Sequence, residues 1–252
     1  MKTEIENNLQ SSAEENASLQ VKIRQQSESI RMLQEQLDAA EMQIKAARGE
    51  EEVLRQEVHH RVKNNLQIIS SILSLYTGNI ADPNIEAVLK NTHSRVATIS
   101  LIHKQLYDSS SLAEIDMQEY VNSQIKDILS IYPIRSPKIV LKLELEPVVL
   151  DVDRAIHCAL LINELVVNSI WHAFRGRERG VLQISLAEKA NDKLRLLVAD
   201  DGIGLPVEID LSQTKSIGLR MAYNFILRLQ GELALSRDNG TSYQIDFPKH
   251  NF

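Results

Sequence analysis

Between residues 5 and 58, apolar side chains recur every seven positions. One position of this repeat is occupied by Leu9, Asn16, Ile23, Ile30, Leu37, Ile44 and Val58. The second position is occupied by Ile5, Leu19, Leu33, Ala40, Ala47 and Leu54. Such a repeat is typical of a coiled coil, and a polar Asn16 among the core positions favours two parallel, identical helices. We therefore predict a parallel dimeric coiled coil over residues 1–52.

Helical spacing continues beyond the heptads into a second domain, predicted over residues 53–112. Its first helix runs to Tyr76 and its second carries an apolar stripe from Val88 to Leu106, with a turn at Thr77–Asn84 between them. This pattern predicts a helical hairpin whose dimer forms a four-helix bundle. His60 lies about 160° around the helix from the apolar Val62, so we expect its imidazole to point away from the buried stripe.

The third predicted domain, residues 113–252, mixes helices and strands. Alternating apolar and polar residues predict strands at Lys138–Glu146, Val181–Ala187, Lys193–Ala199 and Ser242–Phe247. Apolar periodicity predicts helices at Met117–Ile131, Arg154–Phe174 and Leu219–Leu229. The chain is therefore predicted to be a multidomain α+β protein whose last domain is a layer of helices on a mixed sheet.

Composition narrows the class of protein. The formal net charge of −6 without a long Lys/Arg block argues against general nucleic-acid binding. The single cysteine, Cys158, excludes an intramolecular disulfide and suits a reducing compartment. Because no long apolar run and no signal-like start occur, we predict a cytoplasmic protein without a membrane span.

Polar residues interrupt two otherwise apolar segments of the third domain. Glu164, Asn168 and His172 recur every four residues and so share one face of an apolar helix. An amide oxygen such as that of Asn168 suits Mg²⁺, which takes few protein ligands together with phosphates and waters. Asp200 ends a predicted strand and is followed by Gly202 and Gly204. A carboxylate there can accept from an adenine amino group, and glycines let the backbone approach a nucleotide.

A third polar segment opens the last predicted helix. Ser216, Gly218 and Leu219 form a glycine turn followed by a helix start, where free N–H groups and the helix dipole favour a phosphate. Each of the three segments alone is a weak signal. Their order and their strand and helix context together predict a nucleotide site.

These motifs resemble those of a known protein family. The third domain resembles the α/β-sandwich ATP-binding domain shared by sensor histidine kinases, gyrase and related ATPases. His60-Arg61-Val62-Lys63-Asn64 resembles the phosphoacceptor motif of the HWE-like histidine kinases, which have an H-R-x-K-N string. Further matches are Arg95-Val96, Ile99–Tyr107, Ile115-Asp116 and Tyr120, so that the resemblance covers about residues 53 to 248.

The resemblance implies roles for particular residues. His60 would receive the γ-phosphoryl group of ATP, Asn168 would bind Mg²⁺, and Asp200 would recognise adenine. Val207–Lys215 would be a short lid over the nucleotide. The remaining residues of the implied nucleotide site are His172, Gly202, Gly204, Ser216, Gly218, Leu219 and Thr241.

Two positions depart from the pattern of the relatives. Trp171 stands where many relatives have a lysine, so a cation near the phosphates is missing unless Arg175 or Arg220 replaces it. Arg61 stands where many relatives have an acidic residue directly after the phosphoacceptor. Glu57, three residues before His60, or Glu164 is then the candidate base, and spacing favours Glu57.

Three functions fit these residues. The leading hypothesis is a homodimeric, ATP-dependent protein histidine kinase that phosphorylates its own His60 and passes the phosphoryl group to an aspartate on the receiver domain of a separate response regulator. The signal is expected from a sensor domain upstream or from a sensor protein, and the loop at Ser109–Ala113 is the expected hinge. The alternatives are a catalytically weak or inactive nucleotide-binding scaffold, indicated by Trp171, and an ATPase in which Glu164 activates water.

Overall fold

The computed structural model describes residues 2–77, 79–108, 114–132 and 138–250. The chain divides into two compact units, residues 1–55 and 56–252. The side chains of the predicted core positions Leu9, Asn16 and Ile23 lie outside the described part, as does the predicted hinge at Ser109–Ala113. The five α-helices are α1 (Lys2–Thr77), α2 (Pro83–Asp108), α3 (Met117–Ile131), α4 (Val152–Asn168) and α5 (Ile217–Arg228).

Seven strands form two sheets in the described part of the second unit. They are β1 (Glu114–Asp116), β2 (Lys138–Leu145), β3 (Val149–Asp151), β4 (Arg179–Lys189), β5 (Lys193–Asp200), β6 (Glu232–Ser236) and β7 (Thr241–Pro248). Strands β1 and β3 pair antiparallel, and the other five follow the order β2-β4-β5-β7-β6. Only the β2 and β4 pair of this larger sheet is parallel, so the predicted mixed sheet is confirmed.

Alternation along the central strands places one face of the larger sheet in the core. In β4, β5 and β7 every second residue is buried, as period-two side-chain geometry requires. The apolar residues of α4 and α5 belong to the same core. Aspartate side chains cap the starts of α3 and α4. Asp116 accepts from Gln118 N and Glu119 N at the start of α3, and Asp151 accepts from Arg154 N at the start of α4.

The four predicted strands and the three predicted helices of this half are confirmed, with shifted ends. The prediction of one helix from Arg154 to Phe174 is wrong in one respect, because α4 ends at Asn168 and a π-helical turn follows over Ser169–Ala173. Strands β1, β3 and β6 were not predicted. Two of them have three residues each, too few for an alternating pattern.

The helical hairpin lies in the second unit with the sheet. His93 Nε2 of α2 lies 2.8 Å from Ser70 Oγ of α1, which fixes the register of the two helices. Helix α2 also packs against α3 and α4. Ile102 and Leu106 of α2 are fully buried in the same core as the sheet. One helix of the predicted phosphoacceptor hairpin therefore contributes to the core of the nucleotide-binding half.

Candidate functional site

Asp200, at the end of β5, is the centre of one end of the candidate site. Its side chain is 8% exposed, and its Oδ2 accepts from Ser169 Oγ at 2.8 Å. Its Oδ1 accepts from Gly202 N at 3.0 Å and from Thr241 N at 3.2 Å. Three of the predicted nucleotide residues, Asp200, Gly202 and Thr241, are thus in contact. We call Asp200, Ser169, Gly202 and Thr241 the adenine end.

Two glycines are required around Asp200. A Cβ atom on Gly202 would lie 2.3 Å from the Ala173 carbonyl oxygen, and a Cβ on Gly240 would lie 2.0 Å from that of Asp200. Gly240 also has a φ of +118°, which disfavours other residues. Gly204 has a φ of +81° and lies beside Gly240. The predicted glycine motif therefore serves close backbone packing, which shapes the loop that follows Asp200.

The neighbouring carboxylate has a different partner. Asp201 Oδ1 accepts from Val181 N at 2.7 Å and so joins the loop to β4. Of the two adjacent aspartates, only Asp200 contacts the other residues of the adenine end. The adenine-binding role of Asp200 stays a prediction.

The predicted face of α4 is interrupted after Asn168. Glu164 is 6% exposed, Asn168 is half-buried and His172 is exposed. His172 lies in the π-helical turn that follows Asn168, in which backbone hydrogen bonds span five residues instead of four. Partial burial and the positive charge of Arg175 lower the pKa of His172, which favours its neutral form.

The start of α5 forms the other end of the site. Ser216 is the N-cap residue, and its side chain makes no capping hydrogen bond to the helix. A Cβ on Gly218 would lie 3.2 Å from Glu164 Oε2, so the carboxylate lies directly beside the first turn. Leu219 is 4% exposed and packs into the core, which leaves only its backbone available to a ligand. We call Glu164, Ser216, Gly218 and the start of α5 the phosphate end.

Glu164 is engaged by the hairpin. Its Oε1 accepts from Arg95 Nε at 2.7 Å and its Oε2 from Arg95 Nη2 at 2.8 Å, so that α2 and α4 are joined by a bidentate ion pair. The hydrogen bond to Glu164 raises the pKa of the Arg95 guanidinium further. Beside this pair, Ser94 Oγ donates to Asn163 Oδ1 at 2.5 Å. In this arrangement both oxygens of the predicted base Glu164 are occupied.

The predicted lid, Val207–Lys215, is anchored at two points. Leu211 is 3% exposed and belongs to the core, while Arg237 Nη2 donates to the Ile209 carbonyl oxygen at 2.9 Å. Within the lid, hydrogen bonds from Ser212 lower the pKa of Asp210. These contacts attach the predicted lid to the core and to Arg237.

Trp171 packs where a lysine was expected. Its ring lies against Tyr132 in an edge-on contact, with 6.0 Å between the centroids. The Tyr132 hydroxyl donates to Asn91 Oδ1 of α2 at 2.6 Å, and burial raises the pKa of Tyr132. The indole therefore takes part in packing between this turn and the end of α3.

His60 is exposed on α1, as predicted. Its Nδ1 lies 3.3 Å from the Asn64 carboxamide, one turn along the helix. The favoured base, Glu57, instead accepts from Arg61 Nη2 at 2.8 Å and from Arg61 Nε at 3.0 Å. The structure therefore brings Asn64 to His60, and the role of Glu57 stays a prediction. The side chain of His59 lies outside the described part.

The residues present fit a nucleotide with Mg²⁺ better than a metal bound by protein alone. Among the described residues, no three His, Cys, Asp or Glu side chains are grouped to hold a metal ion. Asn168 supplies one neutral oxygen, which suits Mg²⁺ shared with phosphates. At the adenine end, the buried Tyr243 hydroxyl has no hydrogen-bond partner in the described part of the chain.

The helices in the described part of the chain include none that is long and apolar enough for a membrane span.

Sequence reasoning missed several residues of this site. Ser169 follows Asn168 directly, and Gly240 precedes the predicted residue Thr241, so both had a local signal. Asn64 was read as part of a motif and not as a partner of His60. The contact of Arg95 with Glu164 spans 69 residues of sequence and had no local signal.

Two family models match the chain. One, described as "Histidine kinase", matches residues 57–132. The other, described as "Histidine kinase-, DNA gyrase B-, and HSP90-like ATPase", matches residues 153–251. The first contains His60 and Arg95, and the second contains both ends of the candidate site.

Curated relatives agree with these matches. The sensor histidine kinase PdtaS of Mycolicibacterium smegmatis is 34% identical over 185 residues, which are 71% of this chain and 36% of the relative. PdtaS of Mycobacterium tuberculosis is 33% identical over 201 residues, 76% of this chain and 38% of the relative. The blue-light-activated histidine kinase 2 of Erythrobacter litoralis is 26% identical and is covered over 56% of its length. The chain thus spans little more than a third of PdtaS.

Solved structures show the same fold. The Erythrobacter litoralis EL346 blue-light activated histidine kinase matches with a TM-score of 0.60 and 26% identity, over 77% of this chain and 58% of that one. The histidine kinase domain of the same protein matches with a TM-score of 0.60 and 22% identity, over 73% of this chain and 96% of that one.

Proposed function

We propose that the chain is a histidine kinase and that it transfers the γ-phosphoryl group of ATP to its own His60. From His60 the phosphoryl group passes to an aspartate of a separate response regulator. The observation that carries this proposal is the contact of Asp200 with Ser169, Gly202 and Thr241 in the same unit as an exposed His60.

Asp200 binds the adenine amino group in this proposal. A carboxylate has about four acceptor positions, and three are filled by Ser169, Gly202 and Thr241. One acceptor position remains for a donor on the ligand. Because the other three donors fix the carboxylate, it is oriented before the nucleotide arrives.

At the phosphate end, the free N–H groups at the start of α5 bind the phosphates, and Asn168 helps to hold Mg²⁺. Bound Mg²⁺ would neutralise charge on the phosphoryl oxygens. Phosphoryl transfer needs little covalent chemistry from the protein, so positioning supplies most of the catalysis.

His60 is the nucleophile, and Asn64 orients it. The Asn64 carboxamide has both an acceptor and donors, and rotated to present its oxygen it accepts from Nδ1–H. The lone pair is then on Nε2, which forms the new P–N bond while the bond from the γ-phosphorus to the bridging oxygen breaks and ADP leaves.

A second copy of the chain completes the assembly as a homodimer. Apolar side chains at heptad positions are 49% to 66% exposed in the single chain: Leu19, Ile30, Leu33, Leu37, Ile44, Leu54 and Val58. In the hairpin, another apolar group is 44% to 70% exposed: Ile68, Ile69, Ile72, Leu75, Tyr76, Ile85 and Val88. Large exposed apolar groups of this kind mark interaction surfaces. A parallel coiled coil and a four-helix bundle would cover these apolar side chains. A cytoplasmic location is consistent with the single cysteine, Cys158.

Two other functions remain as alternatives. Trp171 packs on Tyr132 and supplies no cation to phosphates, which favours a nucleotide-binding scaffold with weak activity. An ATPase would need Glu164 to activate water, and here both Glu164 oxygens are held by Arg95. The ATPase alternative therefore needs Glu164 to be released from Arg95, which the scaffold alternative does not need.

The test is labelling of the purified chain with γ-labelled radioactive ATP and Mg²⁺. We expect label that is labile in acid and stable in alkali, lost in His60→Gln and kept in the matched control His59→Gln. Label that persists in His60→Gln would reject the phosphoacceptor. Steady phosphate release that does not depend on His60 would support the ATPase.

Mixed dimers test the assembly and the direction of transfer together. We would combine His60→Gln protomers with Asn168→Ala protomers, neither of which labels alone. Label in the mixed dimer means that one protomer phosphorylates its partner. Adding a receiver domain to labelled protein then tests the second transfer, because the label should leave His60 and appear on an aspartate.

A further inference from the structure

A buried polar seam joins the hairpin to the nucleotide site. It consists of Ser94, Arg95 and Thr98 on α2 with Asn163 and Glu164 on α4. Thr98 Oγ1 approaches the Asn163 Oδ1 that also accepts from Ser94. Ser94 and Asn163 are each 1% exposed, Thr98 is 3% exposed and Glu164 is 6% exposed. Bidentate Arg–carboxylate pairs are directional, so the seam fixes one orientation of α4 on α2.

The seam includes Glu164, whose carboxylate lies beside the start of α5. Glu164 Oε2 lies beside Gly218, where the phosphates are expected, and the same oxygen accepts from Arg95 Nη2. Glu164 Oε1 accepts from Arg95 Nε. Both Glu164 oxygens therefore hydrogen-bond to the Arg95 guanidinium, and this pair fixes the orientation of the carboxylate beside the start of α5.

Along α2, the seam is also displaced from the position that lies opposite His60. Ser70 of α1 faces His93 of α2, and because the helices are antiparallel His60 lies level with His103. Arg95 is eight residues from His103, or about 12 Å along the helix at an ordinary α-helical rise. While α4 stays on α2 at Arg95, the Arg95 and Glu164 pair is therefore about two helical turns from the level of His60.

We propose that Arg95 is a positioning residue that clamps Glu164 in a resting state and must release it before His60 can be phosphorylated. This inference rests on the proposed kinase function. The clamp is defined as the Arg95 and Glu164 pair together with the Ser94 and Asn163 hydrogen bond. When the clamp opens, α4 leaves Arg95, the Glu164 carboxylate becomes available, and the nucleotide site moves towards His60.

The first test closes the clamp covalently. Cysteines are introduced together as Ser94→Cys and Asn163→Cys, whose side chains replace two groups in direct hydrogen-bond contact. The native Cys158 is buried, and burial raises the pKa of its thiol to about 12, so it does not compete. We expect the pair to join under mild oxidation or with a short thiol crosslinker. Labelling of His60 should then stop and return when the bond is reduced, while each single variant is unaffected by oxidation.

The outcomes separate this inference from the function on which it rests. Joined protein that labels at the rate of the reduced protein would overturn the clamp, and so would failure of both reagents to join the two cysteines. If wild type itself takes no label at His60, the kinase proposal fails instead, whatever the cysteines do.

The second test opens the clamp. Arg95→Gln removes the charge and should raise the initial labelling rate about tenfold, a typical size for coupling between two sites. Arg95→Lys keeps the charge without the bidentate geometry and should give a smaller rise. In an Arg95→Gln and Glu164→Gln double variant the rise should disappear, because the released carboxylate is absent. A folded Arg95→Gln protein that labels at or below the wild-type rate would overturn the clamp, and if this variant does not fold, the crosslink decides.

Discussion

The two ends of the candidate nucleotide site each contain a buried carboxylate, and the two carboxylates are held in different ways. Asp200 at the adenine end accepts from Gly202 and Thr241 of the sheet and its loops, and from Ser169 of the π-helical turn after α4. Glu164 at the phosphate end is held by Arg95, which belongs to the hairpin. The adenine end is therefore formed by the folding of the nucleotide-binding half, while the phosphate end depends on where α2 lies.

This difference suggests separate tasks for the two ends. A carboxylate fixed by backbone N–H groups cannot change partners without local unfolding, so it suits a constant binding contact. A carboxylate paired across a helix interface can change partners when the helices move. We infer that affinity for ATP is determined mainly at the adenine end and that control of transfer is exerted at the phosphate end.

The largest expected effect is on the adenine end. In Asp200→Asn the carboxamide oxygen can keep the two backbone N–H bonds, but its NH2 group replaces Oδ2, which has the acceptor position left for adenine, so we expect ATP affinity to fall on the order of 100-fold. Titration calorimetry with ATP and Mg²⁺ measures this. The matched control is Asp201→Asn, whose carboxamide oxygen can still accept from Val181 N and which should change affinity much less. Equal losses in both variants would contradict the assignment of adenine binding to Asp200.

The next effect concerns the packing around Asp200. Gly202→Ala places a Cβ 2.3 Å from the Ala173 carbonyl oxygen, and we expect the free energy of unfolding to fall by about 1–3 kcal/mol. Chemical denaturation followed by circular dichroism measures it. Gly49→Ala is the control, since a Cβ there meets nothing within 4 Å, and in a helix it should stabilise the chain slightly. An unchanged stability of Gly202→Ala would show that the adenine end is less rigid than described.

A smaller effect is expected at the phosphoacceptor. Asn64→Leu keeps the size of the side chain but removes the carboxamide that contacts His60 Nδ1, so the maximal labelling rate should fall about tenfold. The ATP concentration needed for half-saturation should not change, because Asn64 lies outside the adenine end. Asn65→Leu, one residue further along the same helix, is the control. A rise in the ATP concentration needed for half-saturation would argue against separate tasks.

The smallest expected effect is at Trp171. Trp171→Lys restores a cation near the expected phosphates and should tighten ATP binding by about three- to fivefold, as befits a partly exposed charge. Trp171→Phe keeps an aromatic contact with Tyr132 and should leave affinity unchanged. If both variants weaken binding equally, the indole itself contributes to the site, and the scaffold alternative loses its support.

The sequence was most informative where the signal is local. Asp200, Gly202 and Thr241 lie at strand ends in motifs of a few residues, and the structure brings all three together. The four longer predicted strands were recognisable because alternation over several residues reports a half-buried position. The helical hairpin was predictable for the same reason, from a stripe of apolar residues with helical spacing.

Features that depend on distant residues were not predictable in this way. The Arg95 and Glu164 pair joins positions that no periodicity relates, and the burial of Ile102 and Leu106 depends on a partner surface from α3 and α4. The π-helical turn after Asn168 was missed because the apolar run continues through it without a glycine or proline. The structure places His172 in this turn, after the end of α4.

The most direct test of separate tasks is the dependence of the initial labelling rate on ATP concentration, measured for wild type and Arg95→Gln. We expect the ATP concentration for half-saturation to stay within about twofold, while the maximal rate rises about tenfold, the size of a typical coupling. A maximal rate that stays the same while half-saturation shifts would contradict the account. It would mean that Arg95 acts on ATP binding and not on the release of Glu164.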